Sequence, residues 1–217
     1  MICIAIKGSG RMKILILGAT GRVGGELLQL ALKDQHDVTV LARDLEKLQR
    51  TDENLHVVQG NVLNKEDLQK AIADAEIVIS ALSTDGTTTL SASTPLILDA
   101  MEDAGIKRII TIGTAGILQS RTHPELLRYQ SPESKRKTTR AAEEHHKAYQ
   151  TLEQSNLEWT IVCPTYLPDG ERIGKYRVEK DFLPNQGVKI SVKDTAEFAY
   201  DQLTDPSYLR ARVGIAY

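Results

Sequence analysis

Short apolar runs alternate along this chain with longer amphipathic stretches. The runs at 14–17, 37–42, 55–58, 77–81, 108–112 and 159–163 have the length of strands. They are nearly continuous in apolar character, as expected of parallel strands buried on both faces. Between them, Val23, Leu27, Leu30 and Ala31 recur at helical spacing. Leu68 and Ile72 mark a second helix that Asn64 can cap, and Leu90, Ile97, Leu98 and Met101 mark a longer one that stops at Gly105. A short charged helix is expected after Asp44, a helix rich in Ala, Glu, Lys and Gln is expected to end near Gln154, and a last one covers 195–203 with Asp194 as its cap. Residues 119–137 read as loop. The stretch 164–187 holds Pro164, Pro168 and Pro184 with Gly170, Gly174 and Gly187, and is expected to form a small lobe without regular core structure.

Strands and helices in this alternation predict an α/β fold, a doubly wound parallel sheet with a small C-terminal lobe over the carboxyl ends of its strands. Residues 12–217 make one domain, with 164–187 as the lobe and 1–11 as an N-terminal extension. The alternative for the first residues is an added strand. Composition agrees with a globular chain: of 217 residues, 41% are hydrophobic and 26% charged. A net charge of −2 gives no global attraction to nucleic acid or to an anionic membrane. No apolar run approaches the roughly 20 residues that span a bilayer. Neither a nucleic-acid nor a membrane partner is expected, self-association stays open, and the chain is expected to be cytoplasmic. Cys3 and Cys163 are read as buried thiols, and no metal site is expected.

The chemistry concentrates after the first strand. Gly18-Ala19-Thr20-Gly21-Arg22-Val23-Gly24 joins an apolar strand to a helix. Gly18 allows the tight turn, Gly21 lets backbone approach a phosphate, and Gly24 lets the helix pack on the sheet. Backbone N–H groups and the positive helix end then converge on one point, suited to a pyrophosphate. Arg43 closes the second strand and Lys47 follows one turn on, placed for a ribose 2′-phosphate, with Arg22 as a third cation. Asp44 complicates this reading, because it can pair with a ribose or cap the next helix. NADP(H) is preferred over NAD(H).

With Leu41-Ala-Arg43-Asp44, Gly60-Asn61-Val62, Ala81-Leu82-Ser83-Thr84 and Val162-Cys-Pro164, the glycine motif resembles the atypical short-chain dehydrogenases. The nearest branch is that of NmrA-like proteins and flavin reductases of the biliverdin reductase B type. The resemblance runs from Met12 through most of the chain. It implies a Rossmann-type domain that binds NADPH and reduces flavins, quinones or related acceptors. It further implies that Asn61 and Val62 flank the adenine and that Leu82, Ser83 and Thr84 lie beside the pyrophosphate and ribose. Asn61 departs from the aspartate usual there, though its amide can still offer a donor and an acceptor.

Ordinary members of that superfamily carry a Tyr-x-x-x-Lys pair on the helix before the sixth strand, where the lysine lowers the tyrosine pKa. Here Tyr149 is followed by Glu153, and the one match in letters, Tyr176 to Lys180, falls in the lobe and is read as chance. Thr114 and His145 are the remaining catalytic candidates. Thr114 stands where resembling reductases place a hydroxyl. His145 is expected to share an inward face with Ala141, Ala148, Tyr149 and Leu152, while His146 points away. Tyr166 and Leu167 are expected beside the nicotinamide or substrate if the lobe folds over it, the alternative being ordinary packing within the lobe. Lys135-Arg136-Lys137 is read first as a solvated basic face, and second as an attractor of an anionic substrate. The sequence therefore favours an NADPH-dependent reductase of a small-molecule acceptor over a non-catalytic NADP(H) sensor of the NmrA-like kind. A nucleotide-sugar epimerase fits less well, lacking the dyad and a long C-terminal region.

Overall fold

The computed structural model describes residues 10–48, 50–84 and 86–217. The choice between an extension and an added strand at the start of the chain turns on residues 1–9, which lie outside the described residues. Among the described residues there are eight strands: β1 (Lys13–Leu17), β2 (Asp37–Ala42), β3 (Leu55–Gln59), β4 (Ile77–Ser80), β5 (Arg108–Ile112), β6 (Glu158–Pro164), β7 (Arg177–Lys180) and β8 (Ala211–Ala216). The helices are α1 (Arg22–Lys33), α2 (Lys65–Ile72), α3 (Thr89–Asp103), α4 (Arg140–Gln154) and α5 (Val192–Asp201).

The strands form one sheet in the order β3-β2-β1-β4-β5-β6-β8-β7. All neighbours pair in parallel except β7, which runs antiparallel to β8. The chain order reverses between β1 and β4, the switch point outside which doubly wound sheets hold ligands. Within β1, Ile14 and Ile16 enter the layer closed by α1 and α5, and Leu15 and Leu17 enter the layer closed by α2, α3 and α4. A continuous apolar run thus serves two cores at once. Each such buried aliphatic side chain is worth about 1.5–3 kcal/mol against exposure.

Local signals act as the sequence suggests at two helix ends. The Asn64 carboxamide oxygen accepts from the Asp67 N–H at 3.1 Å, and Gly105 follows α3 with φ of 70°. Elsewhere the structure differs. Leu45–Lys47 is a single 3-10 turn instead of a helix. Helix α5 starts at Val192, because the Ser191 hydroxyl, and not Asp194, accepts from the first-turn N–H of Asp194 at 3.0 Å.

The stretch expected to lack regular core structure contains β7, and the chain end adds β8. In β8 a charge and a glycine interrupt the apolar pattern. Arg212 is buried there by donating to the Ile117 carbonyl at 2.6 Å and to Asp181 at 3.3 Å. Gly214 leaves room for the Phe182 carbonyl, which would stand 2.1 Å from a Cβ. Asp194 has a different task from capping. Its buried carboxylate accepts from the N–H groups of Ile173 (3.0 Å) and Gly174 (2.8 Å) and from the Tyr217 hydroxyl, tying the lobe to the chain end. Burial opposes its ionisation, but these donors hold its pKa below the ordinary aspartate value.

Candidate functional site

The glycine turn lies at the carboxyl end of β1, beside the switch point. Gly18 adopts φ of 81°, and a Cβ on it would stand 2.6 Å from the Ala81 carbonyl oxygen. A Cβ on Gly24 would stand 2.1 Å from the Gly18 carbonyl oxygen, so α1 can meet the turn only through glycine. The Gly21 N–H donates to the Gly18 carbonyl at 2.9 Å, and Gly21 then heads α1 with no side-chain cap. First-turn N–H groups are therefore presented at the strand ends, in a cradle shaped by backbone alone. These residues fit a dinucleotide pyrophosphate.

A groove of about 260 Å3 opens from this cradle. It brings together Gly18, Thr20, Gly21, Arg43, Lys47 and Val62, and on its β4 side Leu82 and Ser83. Asp44 does not reach into it: its carboxylate caps the Leu45–Lys47 turn by accepting from the Glu46 N–H at 3.1 Å, and it pairs with Lys47 at 3.5 Å. Ala19, Val23 and Gly24 are buried beneath the turn. Asn61 is exposed at the groove margin, with its side-chain oxygen engaged by the Leu63 N–H at 3.0 Å. Thr84 follows Ser83 without lining the groove.

Arg22 is placed differently from the expectation of a third cation beside Arg43 and Lys47. Its guanidinium donates to the Leu167 carbonyl at 3.0 Å and to Asp169 at 2.9 Å. It bridges the glycine turn and the lobe, and it does not line the Arg43–Lys47 groove.

A second cavity, of about 670 Å3, lies further along the same sheet edge. Thr114 and Gly116 form its floor after β5, and Thr165, Tyr166 and Val188 form one wall. The opposite wall comes from Tyr129, from Lys135 to Lys137, and from Ala141 and Ala142 on α4. The Thr114 hydroxyl oxygen accepts from the Gly116 N–H at 3.4 Å, which leaves its own proton to donate elsewhere. Tyr166 lines this cavity, whereas Leu167 turns toward the first core layer and offers its carbonyl to Arg22.

His145 lies one helical turn behind Ala141 and Ala142 and does not line the cavity. Burial pushes its pKa down to about 4, with Arg136 adding to that effect and Glu144 opposing it. Its imidazole is therefore neutral at neutral pH. Glu144 is itself buried, accepting from the Ser91 hydroxyl at 2.6 Å and from Lys147 at 3.0 Å. Two details of this helix face depart from expectation. Ala141 is exposed. His146 does not point away: its Nδ1 lies 2.9 Å from the Tyr129 hydroxyl, and its ring stacks near Tyr149. The loop that carries Tyr129 packs against α4 and so covers a face the helix pattern marks as solvent.

Among the described residues, no Tyr-x-x-x-Lys pair lines either cavity. Burial, and then the bond to Glu153, push the Tyr149 pKa up to about 12, opposite to what a lysine neighbour would do. Tyr176 packs edge-on against Phe198 on α5, and Lys180 ends β7. Cys163 is a free, buried thiol pushed up to about 12 by burial. The sequence reading did not single out Arg128, Tyr129 and Glu133. Glu133 fastens its loop by accepting from Ser120 (2.8 Å), from the Arg121 and Thr122 N–H groups (2.6 and 2.9 Å) and from Arg128. Burial opposes its ionisation, yet these donors hold its pKa at about 2. Pro132 and the charges around it were the available signal, and they read equally well as plain loop.

A family model described as NAD(P)H-binding matches residues 18–206. The Bacillus subtilis protein YwnB is 28% identical over 211 residues, covering 93% of this chain and 96% of its own length. A short-chain dehydrogenase/reductase of the wide type from Veillonella parvula, solved in complex with NADP, superposes with a TM-score of 0.78 at 20% identity, covering 96% of this chain and 95% of that one. ChuY, an anaerobillin reductase from Escherichia coli O157:H7, superposes with a TM-score of 0.77 at 23% identity, covering 93% and 96% respectively. These two structures share the fold. Among the described residues no helix is long and apolar enough to cross a membrane.

Proposed function

The chain belongs to the NAD(P)H-binding family, and from that premise we propose that it is an NADPH-dependent reductase that delivers hydride to a small conjugated acceptor: a flavin, a quinone or a carbonyl compound. The observation that carries this reading is the presence of two cavities at the carboxyl ends of one parallel sheet, one lined by residues after β1, β2 and β4 and the other by residues after β5 and β6. One is a glycine-lined groove with Arg43 and Lys47 at its far end, and the other is an open chamber floored by Thr114. Both open at the carboxyl edge of neighbouring strands. When bound, a reduced nicotinamide supplies the hydride.

The residues of this chain bind and orient. Gly18 to Gly24 hold the pyrophosphate, Arg43 and Lys47 hold the 2′-phosphate, and Val62 with Asn61 borders the adenine. Leu82, Ser83 and Thr84 follow the ribose. Arg22, bonded to the Leu167 carbonyl and Asp169, ties the lobe that carries Tyr166 to the glycine turn. Thr114 donates a hydrogen bond to the acceptor. His145, neutral and behind the wall, positions that wall. Holding donor and acceptor rings face to face supplies much of the rate, so a strong acid is not required. The names of superposable reductases, such as ChuY, support this reading. A cytoplasmic setting, where NADPH is available, fits it.

The second reading is a non-catalytic NADP(H) sensor of the NmrA-like kind, favoured by the absence, among the described residues, of a Tyr–Lys relay from both cavities. The two separate by experiment. NADPH oxidation is followed with riboflavin, quinones and aromatic aldehydes as acceptors. Turnover with any class supports the reductase. Tight NADPH binding with no turnover across the panel, and equal affinity for oxidised and reduced cofactor, supports the sensor.

A further inference from the structure

We propose that a third cavity, at the amino ends of β1, β2 and β3, is a binding site for a small phosphomonoester that carries hydroxyl groups, such as a sugar phosphate. The inference needs no part of the reductase reading. This cavity, of about 400 Å3, lies at the end of the sheet opposite the cofactor groove, and α2 forms its rim. Strand pairing explains its floor. Lys13 lies beside Asp37, and Thr39 beside Leu15 and His56, so these side chains emerge on one face. Between them Val38 and Val40 turn to the opposite core layer. The helix on the cavity face is short. It has eight residues, and its Leu68, Ala71 and Ile72 join Leu15, Leu17 and Leu41 in one apolar layer. Beyond that layer, toward the amino ends of the strands, the same face carries Lys13, Asp37, Thr39 and His56.

The lining holds more donors than the chain uses. Asp37 is answered by Arg11 in an ion pair, and Arg11 also reaches the Asn54 side chain at 2.6 Å. The Arg11 bond, with the charges of His56 and Lys13 adding to it, holds the Asp37 carboxyl below its ordinary pKa, so both cations stand near that carboxylate. Among the described residues, the side chains of Lys13, Thr39, His56, Lys70 and Asp74 form no hydrogen bond or ion pair, yet all five line the cavity. Two ammonium groups, an imidazole and a hydroxyl thus share one concavity with a single uncommitted carboxylate. Such donors answer the oxygens of a phosphate. The negative end of α2 opposes an anion beside Asp74, so the phosphate belongs on the strand floor with Lys13 and His56. Asp74 is left to accept from hydroxyl groups, and Val58 with Ala71 offers a small apolar surface to carbon. The volume lies at the low end of the roughly 300–1,000 Å3 range of ligand pockets, which suits a pentose phosphate better than a dinucleotide.

Titrations of the NADP-saturated protein test this, because the cofactor's own phosphate groove is then filled. The probes are ribose 5-phosphate, inorganic phosphate and ribose. Affinities come from calorimetry, and NMR of the Thr39 methyl and the His56 imidazole reports where each probe binds. Several partly exposed charge contacts, each worth about two- to fivefold, predict that ribose 5-phosphate binds about tenfold or more tighter than ribose at low salt. Hydrogen bonds from its hydroxyls to Asp74 make it about twofold or more tighter than inorganic phosphate. Both the Thr39 and the His56 signals shift as it binds. The advantage over ribose shrinks as added salt brings the screening length toward ~10 Å and below. Replacing both lysines (K13Q, K70Q) reduces that advantage to about twofold or less, and D74N removes the preference over inorganic phosphate. NADPH binding in the other groove reports that each variant is folded.

Equal affinities for ribose and ribose 5-phosphate, an advantage that survives in the double glutamine variant, or binding that leaves Thr39 and His56 unshifted overturns the proposal. Equal affinities for ribose 5-phosphate and inorganic phosphate overturn it as well. The reductase reading falls on a different result, the absence of turnover with every acceptor, so the two fail separately.

Discussion

Gly24 faces Gly18 so closely that a Cβ on Gly24 would stand 2.1 Å from the Gly18 carbonyl oxygen. That contact sets how α1 leaves the turn and therefore where its first N–H groups point. Gly24→Ala forces the helix away from the sheet. Overpacking of this kind costs about 1–3 kcal/mol, and for a domain of this size each kcal/mol lowers Tm by about 2–4 °C. The expected outcome is a folded protein with a lowered Tm and NADPH affinity reduced by about tenfold or more. Calorimetry and NADPH titration check both. Unchanged affinity would show that the turn does not position the phosphates.

Arg43 and Lys47 meet in the groove on the far side of that turn. A hydrogen bond to a charged group is worth about 1.5–3 kcal/mol, so Arg43→Asp weakens NADPH binding by about 10–100-fold. NADH, which lacks the 2′-phosphate, is affected far less. Titrating both cofactors against the variant checks the ratio, and equal losses for the two would remove Arg43 from the phosphate site.

His145 predicts a pH signature. Its folded pKa, about 4, lies below the ordinary histidine value of 6.5. Unfolding between those values takes up a proton, so this group costs the folded state stability as pH falls from 6.5 toward 4. An NMR titration of the imidazole is expected to show it neutral down to about pH 5. His145→Gln removes its share of the acid-side loss of stability. An imidazole that titrates near its ordinary value would place His145 in contact with solvent and reopen a role as proton donor.

Glu133 has a related sign with a different cause. Its pKa is held at about 2 against an ordinary 4.5, so its contribution is present above 4.5 and is lost as pH falls toward 2. Glu133→Gln leaves partners of a carboxylate unanswered and is expected to cost about 1–3 kcal/mol at neutral pH, and much less near the acid end. Urea unfolding across that range checks it. A penalty independent of pH would mean that packing of the loop, and not charge, fastens it.

The sequence made most of the sheet legible, because β1, β2, β4, β5 and β6 are largely buried on both faces and so appear as apolar runs, while β3 at the sheet edge is half-exposed and shows only through Leu55, Val57 and Val58. Strand β8 was hidden by Arg212, whose burial depends on the distant Ile117 and Asp181, and β7 exists only because β8 lies beside it. The phosphate groove could be read locally, since Gly18, Gly21 and Gly24 act within one turn. The second cavity could not. Thr114, Tyr129, Ala142 and Tyr166 come from separate segments and share a lining only after folding. His146 shows the same limit: helix spacing alone points it to solvent, and Tyr129 arrives from another loop to cover it.

A crystal structure with bound NADP tests most directly whether the groove and the cavity are two halves of one site. The expected result is a 2′-phosphate between Arg43 and Lys47, a pyrophosphate over Gly21 at the head of α1, and a nicotinamide whose open face looks into the chamber of Thr114 and Tyr166. A nicotinamide turned away from that chamber, with the cavity closed off from the cofactor, would contradict it.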